Sequence, residues 1–125
     1  RQDPSRRNSL GTVKIHFPNP HAVYLHDTPS KSLFWRSSRA YSSGCVRVEH
    51  VHDLSAWLLS ETPGWDRARI DNVIDKTHER LDVSLQKSVP VYMLYLTSWV
   101  DGDGLLNFRD DIYSIDKKTR TTSLR

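Results

Sequence analysis

A chain of 125 residues is long enough for one domain with a hydrophobic core and hardly more. With 37% apolar and 26% charged residues it has the composition of a globular protein, and no apolar run approaches the roughly 18 residues that span a bilayer. One cysteine excludes an internal disulfide and a thiolate metal site; the formal charge of +3 lies largely in the ends, RQDPSRR and KKTRTTSLR, and the mixed signs between them offer no phosphate track for nucleic acid.

Residues 1–11 are polar, contain Pro4 and Gly11, and read as an extended lead-in without the apolar segment of a signal peptide. Thr12–Phe17 alternates as a strand does, and Pro18–Pro20 must break it. Ala22–Asp27 is a second short strand, so the two are expected to form a hairpin. On it Ala22, Tyr24 and His26 share one face, and Val23 and Leu25 the other. Thr28–Ser43 reads as a structured loop with one helical turn near Ser30–Phe34. Beyond Cys45 the period changes: Val51, Leu54, Trp57 and Leu58 recur at helical spacing, predicting a helix from about Val48 to Ser60 that ends at Thr62–Gly64. A second helix is expected over Asp66–Lys76, with Ile70, Val73 and Ile74 buried and Asp66 near its positive end. His78 would follow it as a C-terminal helix charge. Val89–Val100, the most apolar stretch, reads as a central strand; Asp101–Gly104 turns it into the partner strand Leu105–Asp110. The fold class expected is α+β.

Chemistry centres on SSGCVR, Ser42–Arg47. A free thiol is only a few per cent thiolate at neutral pH, so a nucleophilic cysteine needs a helix N-terminus, a cation or a histidine base. Cys45 precedes the predicted helix, Arg47 is close, and His26 ends a strand. Gly44 removes a side chain that would crowd an incoming carbonyl and lets successive N–H groups converge on one point, as an oxyanion hole requires. The residues alone leave two readings open, a packed inert thiol and a nucleophile. His50 and His52 suggest a metal pair but lack further ligands at suitable spacing, and His16 and His21 read as structural. DGDGLLNFRDDI fails as a calcium loop, with Leu106 where glycine and Ile112 where glutamate is needed. No glycine-rich phosphate loop is present, and neither a cofactor nor a metal is expected. Most aromatic residues read as core, with Trp35 and Tyr41 able to line a groove beside the thiol.

The run VYLHDTPSKSLFWRSSRAYSSGCVRV, Val23–Val48, resembles the active-site segment of the YkuD-type L,D-transpeptidase catalytic domains, and specifically their large periplasmic Gram-negative branch. That pattern has a histidine at a strand end, a loop of fewer than two dozen residues, then Ser-x-Gly-Cys-x-Arg or Asn. Here His26 lies 19 positions before Cys45, and Ser42, Gly44, Cys45 and Arg47 fall on the signature. The flanks LGTVKIHFPNPHAVYLHDTP and FRDDIY also match. Ser43 stands where many members carry histidine, so any hydrogen bond from that ring is absent.

The resemblance implies a β-rich fold with antiparallel strands and two helices after the cysteine, and a chain lacking upstream strands of the domain. Residues 1–11 would be the lead-in, 12–115 the C-terminal part of the catalytic domain, and 116–125 a polar tail. The implied activity is acyl transfer between peptidoglycan stem peptides, through a thioester on Cys45. His26 would move the protons and the carbonyl of Asp27 would orient its ring. The N–H groups of Gly44, Cys45 and Ser43 would hold the oxyanion, and Ser42, Tyr24 and Arg47 would face substrate. Arg47 has a second reading as a structural ion pair, and Tyr24 as packing. Partners implied are donor and acceptor stem peptides, with carbapenem β-lactams as covalent inhibitors; the implied location is the periplasm. The alternatives are an inactive cell-wall-binding fragment, an L,D-carboxypeptidase using water as acceptor, and a papain-like hydrolase, the last opposed by the order of His before Cys.

Overall fold

The computed structural model describes residues 5–77 and 79–117, so His78 and most of the polar tail lie outside it. The chain forms two compact units, Arg1–Val91 and Tyr92–Arg125.

The first unit is built on a three-stranded sheet of β1 (Lys14–Ile15), β2 (Leu25–His26) and β3 (Val46–Arg47), in the order β1-β2-β3. The expected hairpin is present: β1 and β2 run antiparallel, with Lys14 opposite His26 and Ile15 opposite Leu25. Its connection is organised by one side chain. Asn19 donates from Nδ2 to the carbonyls of Phe17 (2.9 Å) and Val23 (2.7 Å), and accepts at Oδ1 from the N–H groups of His21 (3.1 Å) and Val23 (3.0 Å). Two flanking prolines that cannot donate leave this task to the amide between them.

β3 pairs with β2 in parallel, with Leu25 beside Val46 and His26 beside Arg47, so one of the three ladders departs from the antiparallel pattern expected. Parallel neighbours need a long connection, and residues 27–45 supply it. They include a single 3-10 turn over Lys31–Trp35, where the helical turn was expected.

Helix α1 spans Val51–Leu58, three residues later than predicted. The Val48 N–H bonds the His26 carbonyl at 2.9 Å, which keeps residue 48 in the sheet and delays the helix. Its inward ridge is Val51, Ser55 and Leu59, spaced by four, whereas Trp57 is 60% exposed. Periodicity alone put the wider side chain inside. Ser55 fits there because its hydroxyl donates to the Val51 carbonyl at 2.7 Å and needs no other partner. Helix α2 spans Arg67–Lys76 and buries Ile70 against α1. Asp66 is its N-cap rather than its first residue, accepting from the Arg69 N–H at 2.7 Å; such caps contribute about 1 kcal/mol.

The lead-in is turned rather than extended. Its N–H groups at Asn8 and Gly11 bond the carbonyls of Ser5 (3.0 Å) and Asn8 (2.8 Å), and Gly11 enters the sheet at φ +63°.

In the second unit, β4 (Ser98–Val100) and β5 (Leu106–Phe108) form an antiparallel hairpin with Trp99 opposite Asn107. Asp101 builds the turn: Oδ1 accepts from the N–H groups of Asp103 (3.1 Å) and Leu105 (2.9 Å), and Oδ2 from the Asn107 amide (2.9 Å). These are the residues that imitate calcium ligands in the sequence. The Asn107 amide and the turn N–H groups hold the Asp101 carboxyl below its ordinary range. The apolar run before the turn is not a central strand. Only its last three residues join a ladder, which has one partner, and Tyr92 and Leu94 are 80% and 78% exposed within the unit. Strand propensity and apolarity mark a segment that seeks cover, and they do not specify its neighbour.

Candidate active site

The parallel register decides which side chains meet. Because Leu25 pairs with Val46 and His26 with Arg47, continuing one step back sets Tyr24 beside Cys45. The Val46 N–H bonds the Tyr24 carbonyl at 3.0 Å, consistent with that step. Registered residues on parallel strands point to the same face, and alternate residues share it. Tyr24, His26, Cys45 and Arg47 therefore occupy one side of β2 and β3. His26 and Cys45, nineteen residues apart in sequence, come to lie diagonally across adjacent strands, two residues out of register.

His26 is 4% exposed. Its Nδ1 lies 2.5 Å from the Asp27 carbonyl oxygen. A carbonyl only accepts, so Nδ1 carries a proton, and in the neutral ring the lone pair is then on Nε2. The Tyr24 ring meets the His26 ring edge-on at 5.8 Å, which fixes the second side of the imidazole. Lys14 Nζ sits over the Tyr24 ring, 3.7 Å from its centroid. The Tyr24 phenol is held above its ordinary range, first by its hydrogen bond with Cys45, then by burial and by the charge a thiolate would place there.

Cys45 is half-buried and unbridged. The turn before it is shaped by Ser42, whose hydroxyl donates to the Cys45 carbonyl at 2.6 Å and accepts from the Gly44 N–H at 3.3 Å. Gly44 has φ +144°, a region that side chains rarely enter, and an added Cβ would lie 3.1 Å from Val23 Cγ2. Among the described residues the N–H groups of Ser43 and Cys45 have no acceptor, while that of Gly44 is turned to Ser42. Arg47 forms no ion pair among the described residues. Its Nη1 ties the Tyr41 carbonyl at 3.2 Å, and its Nε is buried without a partner. Trp35 is 84% exposed and packs no core.

Residues that motif reading does not flag hold the Asp27 position. The Asp27 carboxylate accepts from Lys31 Nζ at 2.5 Å, from the Thr12 N–H at 2.9 Å and from the Thr12 hydroxyl at 2.8 Å. Burial by itself would raise the Asp27 carboxyl, but the Lys31 ammonium and the Thr12 donors outweigh it and the net shift is downward. A carboxyl lowered on folding stabilises the fold above its unfolded value and loses that contribution as pH falls through the folded one. Urea midpoints of wild type and Asp27→Asn should therefore differ at about pH 7 and converge towards about pH 3. A gap independent of pH would refute the assignment. No group of three or more metal-ligating side chains occurs among the described residues, and no described helix is long and apolar enough to cross a membrane.

Comparison with known proteins bears on the family of the chain. A family model described as the L,D-transpeptidase catalytic domain matches residues 1–91, the same span as the first compact unit. A Haemophilus influenzae protein named "Putative L,D-transpeptidase" is 38% identical over 111 residues, which cover 89% of this chain and 22% of that protein. The chain thus spans about a fifth of the length of that relative.

Proposed function

Because this chain belongs to the L,D-transpeptidase catalytic-domain family, we propose that it transfers peptidoglycan stem peptides through an acyl-enzyme on Cys45. The observation that carries the reading is the parallel β2–β3 register, which supports a shared face for Cys45, His26, Tyr24 and Arg47.

In this reading the Cys45 thiolate attacks the carbonyl of the third residue of a donor tetrapeptide stem. His26 Nε2 takes the thiol proton, and the commitment of Nδ1 to Asp27 keeps Nε2 free for it. Negative charge develops on the carbonyl oxygen, and the unpartnered N–H groups of Ser43 and Cys45 suit it; Gly44 would have to exchange its long bond to Ser42 for the oxyanion. Collapse expels D-alanine, whose amine receives the proton from His26, and leaves a thioester. An acceptor amine gives up its proton to His26, attacks the thioester and restores the thiol, joining two stems through their third residues. The unpartnered Arg47 Nε suits a substrate carboxylate, and Ser42 serves by shaping the turn. Carbapenems would acylate the same sulfur. Residues 12–115 would form the catalytic portion, acting in the periplasm where the substrate lies.

The test is intact-protein mass after incubation with a tetrapeptide stem. Wild type should gain the mass of the tripeptide acyl group and Cys45→Ala should gain nothing. An acyl-enzyme that yields free tripeptide even with acceptor amine present would make the chain a carboxypeptidase. A folded wild type that gains no mass would leave a cell-wall-binding fragment.

A further inference from the structure

Behind the Asp27 carboxylate runs a chain of hydrogen bonds that ends on a histidine the proposed reaction does not use. The Thr12 hydroxyl oxygen is 2.8 Å from Asp27 Oδ2 and 2.9 Å from His52 Nε2. His52 Nδ1 is 3.1 Å from Asp71 Oδ1, and Asp71 Oδ2 accepts from Arg67 Nε at 2.8 Å. Proton accounting along this chain has one complete solution. Asp27 is an ionised carboxylate and only accepts, so the single Thr12 hydroxyl proton points to it. Thr12 then offers His52 a lone pair, and Nε2 must carry a proton. Asp71 is held ionised, first by Arg67 and also by His52, so Nδ1 must carry one too. Every bond is satisfied together only when His52 is an imidazolium. Removal of its Nε2 proton forces Thr12 to choose between His52 and Asp27.

We propose that His52 is a positioning residue: its cation, bonded to Thr12 and Asp71, fixes the Asp27 peptide whose carbonyl orients the His26 ring. The proposal rests on the reading of His26 as the proton-transferring group. His52 is 28% exposed at its side chain, so solvent can exchange its protons. The charged groups around it come from each neighbouring element: Asp71 and Arg67 on α2, His50 and Asp53 at the start of α1, Asp27 and Lys31 after β2, and Glu49 and Arg6 lining the same groove. Asp53 is already paired with Arg67, and Arg6 with Asp75. The Thr12 hydroxyl is the hydrogen-bonded link from the His52 ring to the Asp27 carboxylate.

The experiment follows the ring signals of both histidines by nitrogen NMR while His52 is titrated in the whole chain. In wild type the His26 ring signals should move in step with His52. In Thr12→Val, which keeps the Thr12 N–H bond to Asp27 and removes only the hydroxyl, that co-movement should vanish. Cys45 acylation should slow by about tenfold in this variant, the size of one hydrogen bond, at unchanged KM, and Thr12→Ser should restore both. A His26 ring that ignores the titration of His52 in wild type overturns the proposal, with no variant needed. Wild type that fails to acylate, yet shows the coupling, would instead overturn the proposed reaction and with it the positioning role, leaving only the link between the two rings.

Discussion

His26→Ala should slow acylation of Cys45 by about 10²–10⁴-fold, the usual contribution of a positioned general base. The expectation follows from how fully the ring is constrained. The Asp27 carbonyl accepts a hydrogen bond from Nδ1, the Tyr24 edge closes one flank, and only 4% of the residue reaches solvent. A buried imidazole with one committed nitrogen has one nitrogen left for chemistry. His26→Asn is the sharper variant. Its amide can still donate to the Asp27 carbonyl but offers no base, so it should fold like wild type and be as slow as His26→Ala. A His26→Asn protein that acylates at the wild-type rate would show that the ring only packs.

Gly11→Ala should destabilise the fold by about 2–5 kcal/mol through combined backbone strain and overpacking. An added Cβ would lie 2.4 Å from Cβ, Cγ and Oδ2 of Asp27, and φ at residue 11 is +63°. The carboxylate cannot yield easily, because Lys31 and both Thr12 donors hold it. Gly64→Ala separates the two contributions. Its φ is +78° but nothing lies within 4 Å of the added atom, so it should cost only about 1–2 kcal/mol of strain. Equal urea midpoints for the two variants would mean that Asp27 does not fill the space beside Gly11.

The sequence carried the site better than the second unit. A strand ending in histidine and a Ser-Ser-Gly turn before cysteine are local signals, and local geometry preserves them: β2 ends at His26, Gly44 takes a φ that suits glycine, and Asp66 caps α2. The Asp101 turn was equally legible, because its hydrogen bonds span two to six residues. What escaped was whatever depends on distant partners. Thr12 sits 15 residues from Asp27 and 40 from His52, and a threonine at a strand start gives no sign that it bridges them. Ser42 was read as facing substrate, whereas its hydroxyl is spent on its own turn. Trp57 was placed inward by period, and Ser55 took the position since a serine bonded to its own helix buries no loose polar atom. The Val89–Val100 run shows the same limit: its composition states a need for cover without naming what meets it.

The parallel pairing of β2 with β3 separates the register of the candidate site from the segment that joins its two strands. His26 and Cys45 are held at the two roots of the intervening segment by the ladder itself, through the Tyr24 and His26 carbonyls. The segment need only span the gap, and closing a longer loop costs little, about 0.6 kcal/mol per doubling of length. Its tip, where Trp35 stands in solvent, thus does not set the register of the thiol and the imidazole. Insertion or exchange can redraw that exposed surface while thiol and imidazole stay in register.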